Sequence, residues 1–470
     1  MLDSLFHLTQ NKTTVRTELL AGTTTFLTMA YIIFVQPAVL SGAMFGKPTG
    51  MDIGAVTTAT CLSAALASAI MGLYAKYPIA QAPGMGQNFF FVFSAIPAAA
   101  AAGFANSWEV ALGVVFLSGV LFLGFSCFGV REAVMDAISP SLKNGIAVGI
   151  GLFIALIGLQ NAGLVVKDPG TGVKLSSHFA SPDLLVFFFG LLLAAGLHAR
   201  KVRGSLLWAI GATTIVAVAL KLTIPSLGTL AAAPTFAESK LMKQFAITHG
   251  LFSAPPSLAP TFLQMDVASA LKPAMWPFIL VFLFMVLFDT VGTLVGIGEQ
   301  GGFIKDNKLP RAREAFVSDA LGTTLGACLG TSTVTSYIES AAGVEQGGRT
   351  GLTALTVSGF FLLALFFSPL IAMVGSYPPI TAPALVLVGA MMFRSVTHIT
   401  WDDYTECVPA FLVMVGIPFG YSIGDGLALG FIAYPVVKFL AGRWHEVKRP
   451  VVVVAALMLA YFLLVRGNVG

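Results

Sequence analysis

Charge is scarce in this 470-residue sequence: Asp, Glu, Lys and Arg together make up 10% of it, against ~25% in soluble domains. A water-soluble globule spreads charge over its surface, so a soluble fold of this length is excluded. Cysteine is scarcer still. Cys61, Cys127, Cys328 and Cys407 lie singly, with no C-x-x-C pair, which leaves no disulfide framework or zinc site and makes them packing residues. No two of the six histidines stand at metal-ligand spacing. GAMFGKPT near Gly46 lacks the spacing of a phosphate loop. An intramembrane enzyme needs an acid cluster for metal, or a nucleophile with a base, at the membrane surface; neither is read here, and no motif calls for a cofactor. Basic residues exceed acidic ones by 26 to 22, but they are scattered, so nucleic acid is not an expected partner.

What the chain has in abundance is apolar sequence. Hydrophobic residues make up 56%, with 49 glycines besides, in runs long enough for the roughly 20 residues that cross a ~30 Å hydrocarbon layer. This is the pattern of a polytopic membrane protein. Residues 1–16 have no long apolar run or cleavage site and are not a signal peptide; Leu2, Leu5, Phe6 and Leu8 are expected to form an amphipathic turn on the inner membrane surface.

Breaks at Pro, Gly and charge predict spans near 17–45, 54–74, 79–101, 108–128, 141–160, 182–199 and 204–224. A polar, Pro-rich stretch follows, and seven more spans come near 273–298, 313–330, 331–346, 351–374, 379–394, 403–420 and 423–441. The third segment of each half is irregular: PIAQAPGMGQNFFF has two prolines and two glycines, and GTSTVTSYIESAAG is rich in Ser and Thr. Interrupted segments at matching places in two halves point to a transporter's midplane binding site; the alternative is one short helix and one re-entrant loop without symmetry. With the amino terminus inside, eighteen Lys and Arg fall inside and eight outside, with Arg466 the one outer arginine, as the positive-inside rule expects. Seven is odd, so the second half enters from the opposite side and the repeats are inverted. The leftover run 451–465 is short for a span and is expected along the interface or in a groove.

Ionisable groups inside spans carry the chemical information, since each costs ~2.5–3.5 kcal/mol at a helix centre. Asp289 follows sixteen uncharged residues, and Glu339 lies in the broken tenth segment. Neither has Lys or Arg nearby in sequence. Such a carboxyl is protonated, hydrogen-bonded or open to water, and each state serves a symporter, either as proton carrier or as acceptor of N–H groups from a flat heterocycle. The plainer alternative is a packing carboxyl bonded to Ser or Thr hydroxyls. Asn88, after Gly84 and Gly86, both donates and accepts, and backbone amides there and at Thr333–Ser336 are expected to point into the site; a glycine-rich packing interface is the alternative. Phe89 and Tyr337 are expected to stack on a planar ring, while Phe90 and Phe91 fit packing equally well. Asp319 reads as an inner-end polar residue, with a helix-start role or a coupling role. Asp402, Asp403 and Glu406 in TWDDYTEC read as acids favouring a helix amino end.

The strings TTFLTMAYIIFVQP, APGMGQNFF, FDTVGTLVGIGEQGG, LGTSTVTSYIESAAGVEQGGRTGLTAL and WDDYTECVPAFL resemble the AzgA-like purine permeases, a branch of the nucleobase/ascorbate transporter superfamily, over nearly the whole chain. The resemblance implies an all-α membrane fold of fourteen segments in two inverted sevens. It implies a core domain (17–128 and 273–374) and a gate domain (129–225 and 375–442) that mediates homodimerisation, flanked by an inner segment 1–16, an outer loop 226–272 and a tail 443–470. It further implies proton-coupled import of adenine, guanine or hypoxanthine across the plasma membrane, with sodium the alternative ion. Asn88, Asp289 and Glu339 match the family's substrate-contacting positions. A related branch has Glu, then His four residues on, in the eighth segment, where this chain has Asp289 and Thr293. The family's usual string is nearer GMGLNAFF, so Gln87 and Phe89 are departures, with Gln87 either touching the purine or facing a polar gap. The expected site is therefore Gln87, Asn88, Phe89, Asp289, Thr293, Thr335, Ser336, Tyr337 and Glu339, with Asp289 and Glu339 as proton-coupling groups. The alternatives are an anion carrier on the same fold, an intramembrane enzyme and a channel.

Overall fold

In a computed structural model the protein is described over residues 2–128, 138–226, 234–248, 250–303, 309–460 and 462–463. Arg131, Lys305, Lys308 and Arg466, counted in the charge tally, lie outside the described residues. Among the described residues ten helices are long and apolar enough to cross a membrane.

Local signals set the helix starts. Ser139 and Ser181 accept from the amides of Leu142 and Leu184 at 3.1 and 3.3 Å, each with a proline at the next position, where the missing N–H costs nothing. Asp52, Thr350 and Ser422 cap the Ile53–Ile70, Gly351–Ala364 and Ile423–Leu440 helices in the same way. The first segment is two helices, Val15–Met29 and Ile32–Leu40, meeting at Ala30 and Tyr31.

The third and tenth segments each open with an extended stretch. Strand β1 (Gln81–Pro83) precedes the helix starting at Met85; a β2–β3 hairpin (Val165–Asp168 and Gly172–Leu175) lies apart from them; strand β4 (Val334–Ser336) precedes the short helix Ser340–Glu345. β1 and β4 pair antiparallel, Gln81 opposite Ser336 and Pro83 opposite Val334. The amides of Tyr337 and Gly84 extend the ladder onto the carbonyls of Ala80 and Thr333 at 3.0 and 2.9 Å. Its edges are closed by hydroxyls: Gln81 N–H donates to Ser68 Oγ at 2.9 Å, and Thr323 Oγ1 donates to the Val334 carbonyl at 2.8 Å. Extended backbone inside a membrane protein needs such partners, because lipid supplies none.

Two groups of helices result. Val15–Met29, Ile53–Ile70, Ser107–Phe128, Trp276–Gly301, Ala312–Leu329 and Gly351–Ala364 pack on one another. Pro140–Asn161, Pro182–Ala199, Ser205–Thr223, Pro378–Phe393, Tyr404–Gly420 and Ile423–Leu440 form the second group. Each group has a backbone-to-backbone approach that only glycine permits. A Cβ on Gly72 would sit 2.6 Å from the Gly351 carbonyl oxygen, and one on Gly151 would sit 2.8 Å from that of Gly389.

Two expectations are corrected at the periphery, and a third, on the leftover apolar run, resolves to the groove placement. Phe6 and Leu8 are buried against Leu352 instead of lying on the membrane surface, because the first turn of the Gly351–Ala364 helix offers an apolar seat. Cys127 is exposed rather than packed. The leftover apolar run forms a helix, Arg449–Ala460, with Val451, Val454 and Met458 buried in the main core.

Candidate functional site

A cavity of about 550 Å³ opens where the two paired strands, the Trp276–Gly301 helix and the second helix group meet. Gln87, Asp289, Thr293, Thr335, Ser336, Tyr337 and Glu339 line it, as does Tyr31. Its volume suits a small organic ligand. Ile146, Met392, Pro140, Lys143, Asn144 and Ser395 also line it; Pro140 is exposed and Lys143, Asn144 and Ser395 are half-buried, which makes this end a mouth.

Asp289 is exposed by accessible area although it lies deep in the helix, because its carboxylate faces this cavity. Gln87 Nε2 and Thr335 Oγ1 donate to its Oδ2 at 3.1 and 3.0 Å, and neither donates to Oδ1. Gln87 reaches it because Gly84 has no Cβ: one built there would strike the Gln87 side-chain oxygen. The departure at Gln87 thus places an amide on Asp289. Glu339 is half-buried and accepts from the Tyr31 hydroxyl at 2.9 Å through Oε1. The Tyr337 hydroxyl donates to the Pro83 carbonyl at 2.5 Å, which holds its ring at the cavity wall.

Asn88 and Phe89 are placed elsewhere. Only the first turn of the Met85 helix meets the cavity, so residues beyond Gln87 point into the protein behind it. Asn88 is fully buried and accepts from Ser332 Oγ; Phe89 packs among Phe45, Phe93 and Phe153 with ring centroids 6.2 Å away in each case. These positions correct the expected direct contacts. Phe90 rests on Phe278 and Phe282 at 5.9 and 4.8 Å, and Phe91 is buried. The amide of Ser336, expected to point into the site, donates instead to Asp319 Oδ2 at 3.2 Å.

Asp319 is the residue whose role sequence reasoning understated. It is fully buried in mid-helix and accepts from Gln81 Nε2, from Thr290 Oγ1 at 2.5 Å and from Ser336 Oγ at 2.7 Å, as well as from the Ser336 amide. It therefore joins β1, β4 and the helix that carries Asp289. Tyr31 was missed as well. Its signal, a tyrosine in an otherwise apolar span, is too common to single out. Gly420–Gly424 reads GYSIG and matches the G-x-S-x-G pattern, contrary to the expectation that no nucleophile motif occurs. Ser422 is nevertheless a helix cap, accepting from the Asp425 amide at 3.2 Å and sharing a hydrogen bond with Ser94, and no histidine contacts it among the described bonds.

Among the described lining residues the cavity carries two carboxylates and one cation, Lys143 at the mouth. No cluster of His, Cys, Asp or Glu able to hold a metal occurs among the described residues.

Residues 16–429 match the Permease family. A protein of Methanocaldococcus jannaschii named only as a permease is 44% identical, over 99% of both chains. Guanine/hypoxanthine permease PbuO of Bacillus subtilis is 39% identical over 97% of this chain and 98% of its own, and adenine permease AdeQ of Escherichia coli is 39% identical over 99% and 96%. The fold resembles the transmembrane domain of a cyanobacterial bicarbonate transporter, BicA, with a TM-score of 0.61, 13% identity and coverage of 88% of this chain and 97% of that one. A permease architecture, a membrane-embedded cavity with two acids and the full-length match agree: the chain is a transporter rather than an enzyme, and it belongs to the AzgA-like branch of the Permease family.

Proposed function

We propose that this protein imports a purine nucleobase, hypoxanthine, guanine or adenine, by proton symport. The observation that carries the reading is the pair of carboxylates from two distant segments, Asp289 and Glu339, on one shared cavity. A purine is flat and neutral, with N–H donors on more than one edge, so acceptors on two sides of a largely apolar slot fit it. Glu339 accepts N–H groups from one edge, and the Tyr337 ring stacks on a face. Asp289 carries the coupled proton. Gln87 and Thr335 both donate to its Oδ2, which leaves Oδ1 free of these two donors to take and release the proton.

The first helix group acts as core and the second as gate, each drawing on both halves of the chain, which are related as inverted sevens, and the core carries substrate across by sliding against the gate. Homodimerisation through the gate follows from the family resemblance. The excess of Lys and Arg on the side of Lys143 and Ser395 supports a cytoplasmic mouth there and an inward-open cavity, and the permease relatives support a place in the plasma membrane. Two acids on the cavity weigh against an anion carrier, and likeness to a bicarbonate transporter at 13% identity speaks for fold only.

Uptake of labelled hypoxanthine and adenine by a strain lacking its own purine permeases, with unlabelled guanine, xanthine and uracil as competitors, tests substrate class. A protonophore arm and a sodium-free arm test coupling. Well-expressed protein without uptake of any purine rejects the proposal.

A further inference from the structure

The Arg449–Ala460 helix lies outside the fourteen segments, yet one of its faces belongs to the cavity. Val451, Val454, Ala455 and Met458, spaced for one helical stripe, are buried, while Val453 and Leu459 are exposed. Val454 and Met458 line the same cavity as Asp289 and Glu339. They meet it beside Phe284, on the helix that carries Asp289, and Phe431, on the Ile423–Leu440 helix; the centroids of these two rings are 6.4 Å apart. The C-terminal helix therefore covers the seam where the two helix groups approach each other.

The linker into this helix is fixed. Glu446 accepts from Lys438 Nζ at 2.7 Å and from Arg443 Nε at 2.6 Å, and Arg443 Nη1 reaches Asp403 Oδ2 at 2.8 Å. Lys438, fully buried, also pairs with Glu406 at 2.9 Å. Five charged side chains from the last two segments and the linker thus hold the helix at the cavity.

We infer that Val454 and Met458 form an apolar wall of the translocation route, past which the substrate moves between the carboxylates and the mouth at Lys143 and Ser395. The inference rests on the transport reading above. A methionine thioether is flexible and polarisable, so such a wall yields to a flat neutral base while offering nothing to a hydrated ion. These two residues then set the rate of passage and leave the equilibrium affinity of the carboxylate site largely untouched.

The test uses full-length protein in proteoliposomes, with uptake of labelled hypoxanthine and equilibrium binding measured on the same preparation. Met458→Trp is expected to slow uptake by about tenfold while Kd moves by less than about twofold, the signature of a gating step. Because a tryptophan can disturb folding, Met458→Cys is purified and then treated with a bulky maleimide. Labelling is expected to stop uptake, whereas the same treatment of wild type, which labels only native thiols, leaves uptake in place. Unchanged uptake after complete labelling of Met458→Cys overturns the inference. Wild type that takes up no purine instead overturns the transport reading, so the two failures are distinguishable.

Discussion

The Tyr31 hydroxyl donates to Glu339 Oε1 at 2.9 Å, joining the break in the first segment to the break in the tenth. The bond commits one oxygen of the carboxylate and fixes its orientation toward the cavity. Hydrogen bonds to charged groups contribute about 1.5–3 kcal/mol, roughly tenfold or more in binding. Tyr31→Phe is therefore expected to raise the KM for purine uptake by about tenfold with a smaller change in maximal rate. In a Glu339→Gln background the same substitution should add little; equal effects in both backgrounds would separate the two residues.

Removing each acid should have a different consequence. Glu339→Ala deletes the proposed N–H acceptor and is expected to abolish purine binding. Asp289→Asn keeps the shape and its neighbours but cannot cycle a proton, so binding survives in part and accumulation against a gradient fails. Binding assays on purified protein and accumulation in energised vesicles measure these separately. Wild-type accumulation by both variants would remove both roles.

Asp319 accepts four hydrogen bonds from three elements in a site without water access. Asp319→Ala strands those donors at about 1–3 kcal/mol for each one left unpaired. The expected result is a large fall in the melting temperature of detergent-solubilised protein, together with loss of transport. Asp319→Asn retains an acceptor oxygen and should fall between the alanine variant and wild type. A melting temperature unchanged in Asp319→Ala would show that the strand pair holds without it.

Outside the spans, Arg443 and then Lys438 hold the Glu446 carboxyl at about 2, below its ordinary 4.5. A depressed carboxyl favours the folded state at every pH above 4.5 and loses that contribution as pH falls from 4.5 toward 2. The melting temperature should therefore show a Glu446-dependent decline on acidification through this window and no Glu446-dependent change between pH 7 and 5. Glu446→Gln should lower the plateau slightly and flatten the acid limb, with salt reducing the difference. An identical acid limb in both proteins would exclude Glu446 from it.

Much of this architecture was legible in the sequence because a membrane imposes simple accounting. Prolines at 140 and 182 stood at breaks beside two predicted spans, two prolines and two glycines marked the third segment as irregular, and long apolar runs fixed where the chain crosses. Asp289 and Glu339 stood out because charge inside an apolar run requires compensation. What the local pattern could not give was the direction in which each side chain points. Asn88 and Phe89 follow Gln87 in the same helix, but only the first turn of that helix meets the cavity, so they pack behind it.

By composition and spacing alone the sequence determined a many-span helical protein with two interrupted segments and two isolated acids. The tertiary structure decided which groups answer those acids. Tyr31 reaches Glu339 across 308 positions, Gln87 reaches Asp289 across 202, and Asp319 draws in Gln81 across 238. Such pairings depend on how the β1–β4 ladder brings opposite halves of the chain together, and hydropathy, which averages over neighbours in sequence, holds no trace of them. The Arg449–Ala460 helix was decided in the same way: a run too short to span found its partners at a seam that exists only once the two helix groups have packed.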